Sequence, residues 1–187
     1  QMVECGGWEM PGVYQNGIVE EHLNKRKNGG LFDVSHMGRF LIKGRGAIPF
    51  LQYVLTNNAL ALDPGMAQYT LIPNEKGGAV DDAYLYRVDE EGSSEATYLL
   101  VVNAANKEKD WDWLTGLKAR FKEVDLKDES DAIGMVALQG PLAKKVLGKI
   151  LVEGLSPLPD PWRNRLRLCM IEGIRIPVTV SRTGYTG

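Results

Sequence analysis

The sequence QYTLIPNEKGGAVDDAYLYRV (residues 68–88) contains two strand-like runs around a turn, and it sets the class of fold. The runs at 68–73 and 79–88 flank a loop that ends in two glycines, which predicts a β-hairpin. The second run carries two adjacent aspartates, Asp81 and Asp82, whose side chains must point to opposite faces of a sheet. Because a buried acid is costly unless it is hydrogen-bonded or binds a ligand, at least one of them requires an explanation.

Alternation along the second run separates the two aspartates. Asp82 shares one face with Tyr84 and Tyr86, whereas Asp81 shares the other face with apolar residues. A carboxylate beside aromatic rings suits a flat, nitrogen-rich heterocycle, because the rings offer stacking surface and the acid accepts N–H bonds. The alternative is that both aspartates close the hairpin loop through hydrogen bonds to the backbone, and the residues alone favour this alternative.

Patterns on both sides of the hairpin predict an α+β fold, in which helices pack on antiparallel or mixed sheets. Helices are predicted at 17–27, 47–55, 107–121 and from Pro141 to Ile150, strands at 39–43, 97–103 and 133–139, and a second hairpin at 165–172 and 174–182. Each half thus has a helix followed by a hairpin, which is compatible with internal duplication, although no sequence repeat supports it. We expect two subdomains, residues 1–45 with 140–187 and residues 46–139.

Composition excludes several classes of function. The 187 residues carry 22 Lys and Arg against 24 Asp and Glu, so no basic surface for nucleic acid is expected, and no apolar run is long enough to span a membrane. Cys5 and Cys169 lie far apart in apolar contexts, which predicts buried free thiols in a reducing compartment, with the cytoplasm as the expected location. The two histidines and the acids lack the spacing of zinc or calcium sites, so no metal is predicted.

Three further motifs allow a functional and a structural interpretation. LFDVSHMG (31–38) contains an aspartate, a serine and a histidine, but residues so close in sequence rarely form a catalytic triad, and a turn with local hydrogen bonds is favoured. RTGYTG (182–187) is neither a P-loop nor a dinucleotide loop, so it is a turn that either presents Tyr185 at a site or has no such role. Asn103 either binds a ligand or caps the helix that follows it.

Six motifs occur in order along the whole chain. They are GGWEMP (6–11), GLFDVSHMG (30–38), QYTLIPNEKGGAVDD (68–82), VVNAANKEKD (101–110), ALQGP (137–141) and RTGYTG (182–187). Together they resemble the aminomethyltransferases of the glycine cleavage system, the T-proteins. Members of that family are longer and continue past the last motif with a glutamate and a C-terminal domain. We therefore expect that this sequence corresponds to the folate-binding region, is cut at both ends and lacks the C-terminal domain.

The resemblance implies an enzyme that takes an aminomethyl group from the lipoyl arm of the H-protein, transfers its methylene to tetrahydrofolate and releases ammonia. In a eukaryote it would imply the mitochondrial matrix. It implies a catalytic role for Asp82 and a supporting role for Asp81. The positions that match the folate pocket are Tyr69, Tyr86, Val101 and Asn103, with Met37 and Tyr185 as neighbours and Tyr84 added because it shares the face of Asp82.

Three alternatives stay open beside this interpretation. The first is a demethylase that uses the same folate scaffold with another one-carbon donor. The second is a non-enzymatic folate-binding protein of iron–sulfur cluster assembly, whose Lys-Gly-Cys-Tyr type of motif would fall at Arg182-Thr183-Gly184-Tyr185, where this chain has no cysteine. The third is a fragment that folds but binds nothing, since the family's later glutamate and its folate-binding arginines have no counterpart here.

Overall fold

The computed structural model describes residues 1–89, 91–152, 158–159, 163–173 and 176–184. Its strands are β1 (Met2–Cys5), β2 (Trp8–Pro11), β3 (Gly30–Asp33), β4 (Gly38–Lys43), β5 (Ala67–Pro73), β6 (Ala79–Arg87), β7 (Thr97–Val102), β8 (Asp125–Asp128), β9 (Val136–Gln139), β10 (Leu166–Met170) and β11 (Pro177–Ser181). Its helices are α1 (Ile18–Lys27), α2 (Ala47–Val54), α3 (Lys107–Lys118) and α4 (Ala143–Leu147). Antiparallel sheets with a few helices confirm the α+β class. No helix in these ranges is long and apolar enough to cross a bilayer.

The predicted hairpin forms one side of a five-stranded antiparallel sheet with the order β5-β6-β7-β4-β8. Its loop is closed by Asn74, whose side-chain oxygen accepts hydrogen bonds of 2.9 Å from the backbone N–H groups of Lys76 and Gly78. Both aspartates lie inside β6 instead. The alternative in which Asp81 and Asp82 close the loop is therefore wrong, because Asn74 already supplies the side-chain acceptor that this turn needs.

One face of the five-stranded sheet packs against α2 and α3 and forms the core. Pro49 lies in the first turn of α2, where its missing N–H removes no helical hydrogen bond. Fully burying one large apolar side chain stabilises a fold by roughly 1.5–3 kcal/mol, so the many buried side chains of this layer stabilise the sheet. The opposite face of the sheet is not part of this core. The fully buried residues of the core include Phe40, Ile42, Phe50, Leu51, Ile72, Leu85, Leu100, Val102 and Leu114.

Four short strands lie outside the predicted set, namely β1, β2, β3 and β8. The first two form a hairpin around Gly6 and Gly7, whose φ angles of 59° and 86° suit the tight turn that connects them. β3 pairs with β9, about a hundred residues away along the chain, so no local pattern reveals it. Each of the four strands has only four residues, too few for alternation to be recognised.

Two predicted helices lack the buried face that their patterns indicate. The bounds of α1 agree with the prediction, yet none of its residues is buried. α4 is limited to five residues followed by Gly148, and its apolar residue Val146 is exposed. The described residues therefore provide no layer that covers either helix. The other differences are small, since α3 ends at Lys118 and β9 begins at Val136.

The C-terminal part agrees with the sequence pattern where it is described. β10 and β11 form the second predicted hairpin, with Leu166 opposite Ser181. Positions 174 and 175 of that prediction lie outside the described residues. Cys169 is buried as predicted, whereas Cys5 is exposed beside the turn of the first hairpin. Neither of the two cysteines, both within the described residues, forms a disulfide there.

Candidate functional site

The face of the sheet that points away from α2 and α3 carries three tyrosines. Tyr69 of β5 lies opposite Tyr84 of β6, and Tyr84 lies opposite Val101 of β7. The ring centroids of Tyr69 and Tyr84 are 6.2 Å apart, and those of Tyr84 and Tyr86 are 5.4 Å apart. Aromatic rings contact each other at such distances. We call Tyr69, Tyr84 and Tyr86 the tyrosine surface.

Asp82 lies at one edge of the tyrosine surface. It is exposed, and alternation along β6 places it on the same face as Tyr84 and Tyr86, as predicted. The side-chain amide of Asn103 donates a hydrogen bond of 2.8 Å to Asp82 Oδ1. Loss of hydration, the charge of Asp82 and a hydrogen bond to its carboxylate together raise the pKa of Tyr69. An exposed carboxylate is thus held beside a phenol and the aromatic rings.

Asp81 points the opposite way and is only 8% exposed. Its Oδ1 accepts hydrogen bonds from the side-chain amides of Asn103 at 3.0 Å and Asn106 at 2.9 Å, and its Oδ2 accepts one from the backbone N–H of Asn103 at 3.3 Å. Burial acts to raise the pKa of Asp81, but hydrogen bonds from Asp110, Asn103 and Asn106 outweigh it and leave the pKa lowered. The carboxylate of Asp81 is therefore an internal anchor for the loop after β7.

Asn103 bridges the two aspartates. It follows β7 and precedes the one-turn 3-10 helix Ala104–Asn106. Its side chain makes no capping hydrogen bond to that turn and instead donates to the carboxylates of Asp81 and Asp82. The alternative in which Asn103 caps the following helix is wrong, because the two carboxylates orient its amide N–H groups and its Oδ1 accepts no N–H of that turn.

Two residues near Asp81, Asn106 and Asp110, were not among the site residues predicted from the sequence. Asp110 is fully buried, and its pKa is raised to about 8 by burial, by a hydrogen bond to Asp81 and by repulsion from the Asp81 charge. The sequence nevertheless contains a pattern that predicts a buried position for Asp110. Asp110 precedes Leu114 and Leu117 by four and seven residues, so it occupies the buried stripe of α3, where an acid requires a partner.

The far end of the tyrosine surface contacts the C-terminal part of the chain. The hydroxyl of Tyr84 donates to Asn164 Oδ1 at 2.7 Å, and the hydroxyls of Tyr86 and Thr183 are 3.1 Å apart. Burial raises the pKa of both tyrosines, so both are neutral phenols near neutral pH. A cleft of about 390 Å³, lined by Leu147, Thr183 and neighbouring residues, opens beside this end. The tyrosine surface therefore runs from an exposed carboxylate to a cleft.

The remaining predicted site residues have different positions. Val101 is buried on the same face as Tyr84. Met37 is half-buried and directly precedes β4, whose first residue pairs with Val102 next to Asn103. Tyr185 lies outside the described residues.

The turn predicted at 31–38 is confirmed. The backbone N–H of Ser35 donates to Asp33 Oδ1 at 2.9 Å, and Ser35 Oγ donates to the carbonyl of Met135 at 3.1 Å. Beside this turn, the buried guanidinium of Arg39 donates to the carbonyl oxygens of Ser35 and Met37, and Arg39 lies opposite Val101 in the sheet. The segment thus shapes the loop next to the tyrosine surface and does not assemble a catalytic triad.

Comparisons with known proteins agree with this architecture. The model of the GCVT N-terminal domain family matches residues 1–187. The chain is 45% identical to an aminomethyltransferase of Geobacillus thermodenitrificans over 99% of this chain and 47% of the relative. It is 44% identical to an aminomethyltransferase of Thermus thermophilus over 100% of this chain and 50% of the relative. The chain thus spans about half the length of the curated relatives it matches.

A solved structure shows the same fold. The crystal structure of the glycine cleavage system aminomethyltransferase T from Bartonella henselae superimposes with a TM-score of 0.81 and 31% sequence identity, over 100% of this chain and 47% of that chain. Family model, sequence relatives and structural neighbour therefore agree with the resemblance found in the six motifs. The chain belongs to the GCVT N-terminal domain family, the family of the glycine cleavage aminomethyltransferases.

Proposed function

We propose that the tyrosine surface and Asp82 bind tetrahydrofolate for the transfer of a one-carbon unit in glycine cleavage. The observation that carries the proposal is the exposed carboxylate of Asp82 at the edge of three contacting tyrosine rings. The names of the relatives, which are aminomethyltransferases, support the same reaction class.

The geometry suits a reduced pterin. A flat ring system can stack on the tyrosine surface, and base–aromatic contacts of this kind contribute free energy without demanding one orientation. Orientation then comes from Asp82, because a carboxylate accepts strong charge-assisted hydrogen bonds from ring N–H groups. Val101 provides an apolar contact on the same face. Met37 and Tyr185 complete the set of residues that we assign to the pocket.

The chemistry requires positioning more than covalent help from the protein. The donor is an aminomethyl group on a lipoyl sulfur. Its C–N bond breaks and ammonia leaves, a folate nitrogen forms a new C–N bond to that carbon, and the second folate nitrogen then displaces the lipoyl sulfur, which leaves as a thiol. The two protons lost by the folate nitrogens go to the ammonia and to the thiol. Asp82 would hold the attacking nitrogen, take up its proton during the attack and pass that proton on to the departing ammonia.

The carrier of the aminomethyl group in this proposal is the lipoylated H-protein of the glycine cleavage system. Support comes from the structural neighbour, whose title names it as part of that system. Because the chain covers about half of its relatives, we assign it the folate-binding part of the reaction. The bacterial sources of the relatives favour the cytoplasm as the location.

Calorimetric titration with tetrahydrofolate under anaerobic conditions tests the proposal. Asp82→Asn keeps the size of the side chain but removes its charge, so we expect affinity to fall by about tenfold or more. Asp125→Asn is the matched control, because Asp125 is exposed in β8 at the other edge of the same sheet, where its carboxylate lies 3.8 Å from the Lys43 ammonium. The proposal fails if the wild-type protein does not bind tetrahydrofolate, or if Asp82→Asn binds it normally and still releases ammonia from the aminomethyl carrier.

A further inference from the structure

Asp110 is a buried acid whose environment fits its neutral form. Its side chain is 0% exposed, and no N–H or hydroxyl group of the described residues donates to either of its oxygens. An ionised carboxylate is strongly disfavoured in such a place. The group that it contacts is the carboxyl of Asp81. Two carboxyls in hydrogen-bond contact require a proton on one of them.

The partners of Asp81 decide which carboxyl carries that proton. Asp81 accepts three N–H bonds from Asn103 and Asn106, and such bonds favour the ionised form. Asp110 receives none, so Asp110 is the donor and Asp81 the acceptor. The directions of the two pKa values agree, since that of Asp110 is raised and that of Asp81 is lowered.

Other charged groups near the pair modify this balance without reversing it. On α3, the ammonium of Lys109 favours ionisation of Asp110, but it is directed at the carbonyl of Val80, to which it donates at 2.7 Å. On β6, the charge of Asp82 acts in the opposite sense and disfavours ionisation. Burial is the largest influence on Asp110 and also favours the neutral form.

A chain of hydrogen bonds connects this buried proton to the candidate site. Asp110 donates to Asp81, Asp81 accepts from the side-chain amide of Asn103, and the same amide donates to Asp82 at 2.8 Å. The orientation of one amide group is thus set by a buried carboxylate on one side and an exposed carboxylate on the other.

We propose that Asp110 is a positioning residue, which keeps a proton at neutral pH, donates it to Asp81 and thereby holds the Asn103 amide against Asp82. Loss of that proton would bring two negative charges into contact inside the protein. The carboxyls would then separate, and Asn103 would turn away from Asp82. This inference deepens the proposed function and depends on it only for the folate role of Asp82.

Carbon-13 NMR of the aspartate carboxyls, together with the side-chain amide signals of Asn103, tests the proposal without any folate present. In the wild-type protein we expect Asp110 to titrate at about pH 8 and the Asn103 signals to move with the same midpoint. In Asp110→Asn, which keeps the shape and a donor N–H, the Asn103 signals should stay at their low-pH positions. The matched control is Asp112→Asn, an exposed acid on the same helix, which should leave both titrations unchanged.

Two results would overturn the proposal. One is an ionised Asp110 at about pH 6 in the wild-type protein, and the other is an Asn103 amide that titrates equally in Asp110→Asn. If Asp110→Asn does not fold, the titration of the wild-type protein alone still tests the proposal.

Measurement of tetrahydrofolate binding at several pH values separates this inference from the proposed function. Above about pH 8.5 the wild-type affinity for tetrahydrofolate should fall several-fold while that of Asp110→Asn stays constant. If no folate binds at any pH, the proposed function fails and the NMR titration still decides the role of Asp110.

Discussion

Asp81 and Asp82 are adjacent in the same strand, yet their surroundings differ completely. Asp81 lies on the core side of β6, where two asparagines and Asp110 surround it. Asp82 lies on the tyrosine side, where its carboxylate is exposed and one amide of Asn103 holds it. Because adjacent residues of a strand face opposite sides of the sheet, one carboxylate anchors a loop and its neighbour is available to bind a ligand.

This difference shows how the chain builds an exposed charge with a fixed position. An exposed aspartate alone would sample several rotamers, and its direction would be poorly defined. Asn103 restricts Asp82, and Asp81 in turn restricts Asn103. The buried acid therefore supports the exposed one, and substitutions at the two positions should have effects of different kinds.

The largest difference should appear in stability. Asp81→Ala leaves three partly buried N–H groups of Asn103 and Asn106 without their acceptor, so we expect the free energy of unfolding to fall by about 3 kcal/mol. Asp82→Ala removes one bond of an exposed side chain and should cost less than about 1 kcal/mol. Denaturant unfolding of both variants measures the difference. Equal losses would show that the two faces of β6 do not differ as described.

A smaller effect should appear in the pH dependence of stability. The pKa of Asp110 is raised to about 8 in the folded chain from an ordinary value of 3.8, so its contribution is complete below about pH 4 and is lost as pH rises through about 8. Asp81 has the opposite sign, because its pKa is lowered and its contribution is lost as pH falls below about 4.

Between about pH 5 and pH 7, Asp110 should therefore lower the free energy of unfolding by about 1.4 kcal/mol for each pH unit. Asp110→Asn should remove this slope, and Asp112→Asn should retain it. Unfolding in denaturant at several pH values provides the measurement. A slope that persists in Asp110→Asn would assign the proton to another group.

The smallest effect concerns the pKa of Tyr69 on the tyrosine surface. The charge of Asp82 and its hydrogen bond help to raise the pKa of Tyr69, so Asp82→Asn should move that pKa back toward its ordinary value of 10. Phenolate absorbance or NMR of the tyrosine ring follows this titration, and Asp125→Asn should have no effect on it. An unchanged Tyr69 in Asp82→Asn would show that the two side chains do not interact across β5 and β6.

Alternation in the sequence predicted the strand and its two faces, because the period of a strand places Asp82 with Tyr84 and Tyr86 without reference to any distant residue. It could not predict the partners of Asp81. Those partners lie on another segment, and only the antiparallel pairing of β6 with β7 brings Asn103 beside the aspartates. Asp110 is an intermediate case, since its place on the buried stripe of α3 was visible but its neighbour was not.

The missed elements have similar causes. β3 contains Leu31 and Phe32 in succession, so it has no alternation, and its partner β9 is far away in the sequence. The exposed face of α1 shows the converse, because apolar spacing predicts the helix but does not identify what covers it. The Gly-Gly turn between β1 and β2 was a usable hairpin signal that four-residue strands made easy to overlook.

The strand order β5-β6-β7-β4-β8 has a consequence for synthesis of the chain. A ribosome releases residues in order from the N-terminus, so β4 (Gly38–Lys43) emerges long before either of its neighbours. β5, β6 and β7 are consecutive and can pair as soon as each is made. The apolar residues of β4 have no native strand partner until β7 has been synthesised, because β4 pairs with β7 from Gly38 opposite Val102 onward. The strand that ends up between β7 and β8 is therefore the first of the five to be synthesised and one of the last to be paired.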